Sequence, residues 1–302
     1  MKRLEPYRTG VFRWILMFVL LGVFPSPSLA QELTVVLSSN LSPYVEAFEG
    51  FRMAWDRPIH RVDLVDGQVP NLPSETRIVV TFGGQAALAS YPSDVVVIYC
   101  LSPGVTLKSR AHRNRAVKIA MTPSATETIK RLKVVQPTLR RLGVFWVSDS
   151  QEPFLQLLDI AARQWGVQII AQRVSGINDL PDGLRKALRQ GVDGLWLPPD
   201  PALINPRSFG VFREFSYAND VPLYVPSSGL LEKGAIASVA CNFGDVGRTA
   251  GEVAHQVLVG DQLPVVVYPD RVTFWVNLKA ASETDVSIDL EAVKRNGGEV
   301  LE

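Results

Sequence analysis

The chain has 302 residues, of which 47% are hydrophobic and 20% are charged, and its formal net charge is +1. This composition is typical of a globular protein with a full core and argues against a disordered chain. At roughly 100–200 residues per domain, the length allows two domains. The near-neutral charge gives no indication of nucleic acid as a partner.

The first thirty residues are predicted to be a secretory signal peptide that is cut after Ala30. A basic lead precedes an apolar run at residues 14–24, and Ser28 and Ala30 place small residues before the cut. The run is short against the ~20 residues of a membrane-spanning helix, and an uncleaved anchor is the alternative. Without this segment the chain has 27 basic and 29 acidic residues, a net charge of −2. We expect an exported, periplasmic, monomeric protein.

The mature chain keeps two cysteines, Cys100 and Cys241, and both end apolar strand-like runs. An exported protein can form a disulfide between them. Buried free thiols are the favoured interpretation, because both cysteines end apolar runs and an unpaired cysteine behaves as a small hydrophobic residue.

Short apolar strands alternate with amphipathic helices along the rest of the chain, which predicts an α/β fold with parallel sheets. In a first series, strands are predicted at residues 33–37, 60–65, 77–82, 94–101 and 116–121, with a helix capped by Ser42 and a short helix at 86–90. In a second series, strands are predicted at 141–147, 167–173, 194–197 and 222–225, with helices at 126–135, 153–165, 180–190 and 209–218. Strands at 265–267 and 272–278 and a helix at 290–296 follow.

The stretch at residues 234–260 is predicted to cross between two lobes. It begins as an apolar strand, breaks at Asn242 and continues as a helix with one apolar stripe that ends at Gly260. Together with breaks near residue 122 and residues 264–270, it gives three crossings. The sequence therefore predicts two Rossmann-like lobes joined by a three-stranded hinge. Lobe 1 comprises residues 31–121 and 242–263, and lobe 2 comprises residues 122–241 and 264–302.

Candidate ligand-binding residues follow the carboxyl ends of the predicted strands, where open parallel sheets bind ligands. They are small and polar, and several precede a helix whose free N–H groups suit an anion. Asn242 joins them because a hinge residue lies at the floor of the cleft. The same residue types also form ordinary caps and turns in such loops. The candidates are Ser39, Asn40, Gly84, Gln85, Ser102, Asp149, Asp200, Ser227, Ser228 and Asn242.

Enzyme motifs are absent from the sequence. It has no nucleophile elbow, Walker A loop or zinc-protease motif, and its three histidines are scattered. The glycines Gly244, Gly247 and Gly251 do not fit a phosphate-binding spacing and are interpreted as close helix packing. An acid–base pair of Asp149 and Asp200 is the residual enzymatic alternative. We expect no catalytic residue, no cofactor and no metal site.

Five segments carry a family resemblance: LWLPPD at 195–200, VPLYVPSSG at 221–229, KGAIASV at 233–239, GRTAG at 247–251 and VNLKA at 276–280. They resemble the substrate-binding proteins of one family of ABC transporters, which have the type I periplasmic binding fold. Within that family, the resemblance is to the subgroup similar to tryptophan- and tyrosine-binding proteins. The resemblance is good over residues 138–302 and weaker over residues 31–137. Between residues 65 and 77 the family has a further helix, whereas this chain has a proline-containing loop.

The resemblance implies a two-lobed protein that closes on a small, amino-acid-like molecule and presents it to an ABC permease. It implies binding rather than catalysis, with Tyr44 and Phe243 as candidate aromatic walls. A sensor subunit for a membrane receptor or kinase would use the same fold. An exported hydrolase is a third alternative.

Overall fold

A computed structural model describes residues 32–64, 69–107, 116–284 and 286–302. The predicted signal peptide lies outside these residues. The strands are β1 (Leu33–Leu37), β2 (His60–Asp63), β3 (Ile78–Phe82), β4 (Val96–Cys100), β5 (Ala116–Ile119), β6 (Arg141–Trp146), β7 (Gln168–Arg173), β8 (Gly194–Trp196), β9 (Leu223–Val225), β10 (Ala237–Ala240), β11 (Val266–Val267), β12 (Thr273–Asn277) and β13 (Gly298–Leu301). The helices are α1 (Ser42–Ala54), α2 (Gly84–Leu88), α3 (Ala125–Val135), α4 (Glu152–Gln164), α5 (Leu180–Arg189), α6 (Pro206–Ala218), α7 (Phe243–Val259), α8 (Leu278–Ser282) and α9 (Leu290–Arg295).

Two sheets organise the molecule, and each sheet with its covering helices is called a lobe below. The first sheet has six strands in the order β11-β5-β4-β3-β1-β2, and all neighbours are parallel. Helices α1 and α7 cover one face and α2 covers the other. Every residue of β1 and β3 is buried, as expected of parallel strands with two covered faces.

The second sheet has seven strands in the order β13-β12-β10-β9-β8-β6-β7. Helices α3 and α4 pack on one face and α5 and α6 on the other. The prediction of parallel sheets needs one correction here, because β10 and β12 are antiparallel. β12 enters the sheet directly from the other lobe. A parallel neighbour in the same sheet would need a crossover connection such as a helix, and an antiparallel strand does not.

The chain crosses between the lobes three times, after β5, after β10 and after β11. In the stretch at 234–260, β10 lies in the second sheet and α7 packs on the core of the first. The short strand β11 differs from the prediction, which placed residues from 264 onward in lobe 2. It pairs with β5 in the first sheet, with Val266 opposite Lys118 and Val267 opposite Ile119.

Helices α1 and α7 approach each other unusually closely, and glycines make the approach possible. A Cβ atom on Gly247 would lie 1.7 Å from the carbonyl oxygen of Ala47, and one on Gly50 would lie 1.9 Å from the carbonyl oxygen of Gly244. A Cβ atom on Gly251 would lie 2.8 Å from a side chain of α1. The interpretation as close packing is confirmed for Gly247 and Gly251, whereas a Cβ atom on Gly244 would meet its nearest neighbour at an ordinary 3.5 Å.

Several local features depart from the prediction. α1 begins at Ser42 itself, and the preceding Leu41 supplies no side-chain cap. Strand β13 and helix α8 were not predicted. The two cysteines agree with the favoured interpretation, since Cys100 and Cys241 are both buried free thiols. Burial raises the pKa of the Cys241 thiol to about 12, with further contributions from Asp245 and Asp270.

Among the described residues, every helix is too short or too polar to cross a membrane.

Candidate functional site

A cavity of about 320 Å³ lies at the carboxyl ends of strands from both sheets. Residues 99–106 and 118–122 of the first lobe form one wall, and residues 150–154 with Pro199 of the second lobe form the other. Val265, Val266 and Tyr268, at the third crossing, complete it. A cavity in this position meets the expectation that open α/β sheets bind ligands beyond the carboxyl ends of their strands.

Two larger hollows, of about 730 and 740 Å³, lie within the second lobe. They border the amino ends of β6, β7, β8 and β9, and one is walled by the exposed side chains of Arg140, Arg141 and Arg163 and by the half-buried Asp159. They lie at the end of the sheet opposite the crossings, where closure of the lobes would not reach them. The inter-lobe cavity is therefore the candidate site despite its smaller volume.

Lys118 is the charged group of the first-lobe wall. It lies opposite Tyr99 on the neighbouring strand, and its Nζ is 6.0 Å from the centre of the Tyr99 ring. Nζ donates a hydrogen bond of 3.0 Å to the carbonyl oxygen of Val105. Burial lowers the pKa of the Lys118 ammonium. The sequence offered one indication of this role, a single charge within the apolar run at 116–121.

Aromatic rings form the opposite part of the wall. Phe154, in the first turn of α4, has its ring centre 5.7 Å from that of Trp196 and 6.0 Å from that of Tyr268. Trp196 is buried, so it supports Phe154 from behind. Burial raises the pKa of the Tyr268 hydroxyl. Tyr99, Phe154 and Tyr268 together give the cavity an apolar surface with polar tips, which suits a ring-bearing ligand.

Two serine hydroxyls in the cavity wall lack partners. Within the described chain, Ser102 Oγ and Ser150 Oγ are buried and have no hydrogen-bond partner. Such orphaned polar atoms are uncommon in folded proteins and invite a functional explanation. Leu101, directly before Ser102, has a φ of 50°, a left-handed conformation that bulky residues rarely adopt. Strained backbone of this kind persists at functional sites.

Asp200, a predicted ligand contact, has a different environment. Its side chain is fully buried. It accepts hydrogen bonds from the backbone N–H groups of Val147 and Ser148, both at 2.8 Å, from Ser148 Oγ at 2.7 Å and from the N–H of Ala202 at 3.1 Å. Burial alone would raise the pKa of this carboxyl, and the hydrogen bonds outweigh it, so the pKa is lowered. Asp200 ties the loop after β6 to the loop after β8, and its neighbour Pro199 lines the cavity instead.

Three other predicted residues make defined contacts elsewhere. Asp149 is exposed and pairs with Arg173. Asn40 accepts a hydrogen bond of 3.1 Å from Arg61. Asn242 caps α7, with its Oδ1 accepting from the N–H of Asp245 at 2.6 Å.

The predicted aromatic walls, Tyr44 and Phe243, pack against the core of the first lobe. Of all the predicted site residues, Ser102 alone lines the cavity. The remaining candidates follow the carboxyl ends of β1, β3 and β9 and are not part of the cavity wall; Gly84 and Gln85 begin α2, and the others are Ser39, Ser227 and Ser228. As ligand contacts these residues stay predictions. Sequence reasoning missed Lys118, Phe154 and Tyr268.

Within the described ranges, His, Cys, Asp and Glu side chains form no group of three that could hold a metal ion.

Comparison with protein families gives a match over residues 119–300 to the model described as ABC transporter substrate binding protein. A tyrosine-binding protein of Clostridioides difficile (strain R20291) is 21% identical over 139 residues, which are 45% of this chain and 39% of that protein. Uncharacterized protein RP367 of Rickettsia prowazekii (strain Madrid E) is 21% identical over 164 residues, 53% of this chain and 52% of that protein. The matched part thus spans two fifths to one half of these curated relatives.

Solved structures match over a larger share of the chain. A ligand-free, open substrate binding protein with adhesive properties from Clostridium difficile has a TM-score of 0.64 and 15% identity, covering 90% of this chain and 99% of that one. An ABC domain in complex with L-Trp from Streptococcus pneumonia has a TM-score of 0.57 and 19% identity, covering 89% and 100%. The predicted fold class, the two-lobed type I periplasmic binding fold, is confirmed.

Proposed function

This chain belongs to the family of ABC transporter substrate binding proteins, and we propose that it captures a small, amino-acid-like organic molecule between its lobes and delivers it to an ABC permease. The ligand class has support from two similar proteins, of which one is named tyrosine-binding and the other was crystallised with L-Trp. The predicted signal peptide supports a periplasmic location. In this role the chain binds and releases its ligand without changing it.

The cavity at the carboxyl ends of both sheets is the observation that carries the proposal. Tyr99 and Lys118 come from the first lobe, Phe154 from the second and Tyr268 from the crossing between them. A ring-bearing acid would fit this set, with its ring against the aromatic side chains and its carboxylate toward the Lys118 ammonium. A ligand held in this way contacts both lobes at once.

Contacts to both lobes couple binding to closure. A ligand shifts a conformational equilibrium only by its differential affinity for the two states, and a ligand bridging the lobes binds the closed state better. The three crossings are the segments that would absorb the hinge motion. A permease that recognises the closed form would then receive loaded protein in preference to empty protein.

Ligand titration against matched variants tests the proposal. We expect members of a panel of amino acids, related organic acids and sugars to raise the melting temperature of the mature chain, since a ligand of the folded state stabilises it by mass action. Phe154→Ala should weaken binding of the best compound about tenfold or more, because it removes a ring from the cavity wall. Leu157→Ala, on the exposed side of the same helix, should leave binding unchanged.

The outcome that contradicts the proposal is a panel in which no compound shifts the melting temperature or gives heat on titration. Delivery to a permease needs a separate measurement. We expect uptake of the identified compound to fall in cells that lack this chain. Unchanged uptake, with loss of a transcriptional response to the same compound, would favour the sensor alternative.

A further inference from the structure

The cavity wall carries one kind of charge. Among the described residues that line it, Lys118 is the sole ionic side chain, and the others are aromatic, aliphatic, hydroxyl or amide groups. A free amino acid carries both a carboxylate and an ammonium at neutral pH, so its recognition in a partly dry site requires partners for both. Lys118 supplies a partner for the carboxylate.

The carboxylates closest in sequence to the cavity wall are already engaged. Asp200 is fully buried and accepts its hydrogen bonds from Val147, Ser148 and Ala202. Asp149 and Glu152 both pair with Arg173 on the outer surface of the second lobe. None of these oxygens lines the cavity. An ammonium placed there would lose its water without gaining a carboxylate, which is costly in a site of low polarity.

The orphaned hydroxyls suit an anion. Ser102 and Ser150 line the cavity from opposite lobes, and within the described chain their Oγ atoms are buried and have no hydrogen-bond partner. Each hydroxyl can donate one hydrogen bond, and a carboxylate only accepts them. The Lys118 ammonium has three N–H donors, and one of them donates to the carbonyl oxygen of Val105. A single carboxylate could therefore use donors from both lobes.

Resting on the function proposed above, we infer that the preferred ligand is an aromatic acid that has a carboxylate and no ammonium. Its ring would lie against Phe154 and Tyr268, and its carboxylate would meet Lys118, Ser102 and Ser150. A cavity of about 320 Å³ is at the lower end of the range of roughly 300–1,000 Å³ for small-molecule sites. A single ring system with a short acid chain is of that size.

Ligands that share a ring and differ only in charge test this inference by calorimetric titration. One series is 3-phenylpropionate, phenylalanine and phenethylamine, and a second is indole-3-propionate, tryptophan and tryptamine. We expect the acid of at least one series to bind about tenfold or more tightly than its amino acid, and both amines to show no binding. Equal or tighter binding of phenylalanine or tryptophan overturns the inference and leaves the proposed function intact. Failure of all six compounds and of the wider panel defeats the proposed function as well.

Two variants of Lys118 test whether its ammonium binds the carboxylate of the ligand. Lys118→Met should weaken binding of the acid about tenfold or more, because it removes the cationic partner, and Lys118→Arg should retain most of the affinity. Lys279→Met, an exposed lysine on α8, is the matched control and should bind as the parent does. Unchanged affinity of a folded Lys118→Met overturns the inference. If that variant does not fold, the comparison of ligands on the parent chain still decides.

Discussion

Gly247→Ala should destabilise the first lobe through its backbone contact with α1. The added Cβ would lie 1.7 Å from the carbonyl oxygen of Ala47, whereas ordinary contacts of this kind are no closer than about 3.4 Å. No rotamer change can relieve the clash, because the obstructing atom belongs to the backbone. The two helices must therefore move apart by more than an ångström, and the packing between them is lost along the interface.

The magnitude follows from two opposing effects. Overpacking of a close contact costs about 1–3 kcal/mol, and a rigid backbone obstacle favours the upper end of that range. Alanine is a better helix former than glycine by about 1 kcal/mol. The net loss of unfolding free energy should be about 2 kcal/mol, which for a protein of this size corresponds to a fall in melting temperature of roughly 4–8 °C.

Urea denaturation followed by circular dichroism measures this loss, and Gly210→Ala is its matched control. Gly210 lies within α6, and a Cβ atom there would meet nothing within 4 Å. The control should gain about 1 kcal/mol from helix propensity alone. If Gly247→Ala were as stable as the parent while Gly210→Ala showed its gain, the close approach of α1 and α7 would be refuted.

Three further outcomes are expected. Asp200→Asn should lower the unfolding free energy by about 1–3 kcal/mol at neutral pH, since the amide places donors against N–H groups. Because the pKa of Asp200 is lowered in the folded state, its carboxylate contributes fully to the free energy of unfolding above its unfolded pKa of about 4, and this contribution is lost as the pH falls through the folded pKa. If Asp200→Asn lost stability in acid as steeply as the parent, this reasoning would be contradicted. Asp220→Gly should raise the free energy of unfolding by up to about 1 kcal/mol, because Asp220 has a φ of 50° after α6 and glycine adopts this left-handed conformation without strain. A lower melting temperature of the variant would contradict strain at this position. Thiol titration should find Cys100 and Cys241 slow to react when folded and both reactive in denaturant without reductant; no reactive thiol would indicate a disulfide.

The elements with a strong periodic pattern could be predicted from the sequence within about one to three residues at either end. β1 is apolar at every position but Thr34, and α7 has a long apolar stripe with a glycine at its end, so local chemistry decides both. β13 was missed for a different reason. Its four residues include glycine and glutamate, and it is a strand because β12 lies beside it. Such strands depend on tertiary context more than on intrinsic propensity.

The candidate site was harder to predict, because caps and ligand contacts use the same residue types. Asp200 and Asn242 follow strands just as ligand-binding residues do, and only their hydrogen bonds show that Asp200 ties two loops together and that Asn242 caps α7. Lys118 is the reverse case. A charge in a strand usually marks an exposed position, and its place in the cavity follows from its register with Tyr99 and from the chain crossing above it.

The discontinuous first lobe has a consequence for the order of folding. Its helix α7 arrives only after the whole of the second sheet up to β10 has been synthesised, and the hydrogen bond between His255 and Ala54 joins residues 201 positions apart. Contacts at such separation require a large loop to close first, which slows their formation. We expect α3 to β10, which are contiguous, to assemble early, while the first sheet still lacks α7, one of the two helices that cover the same face.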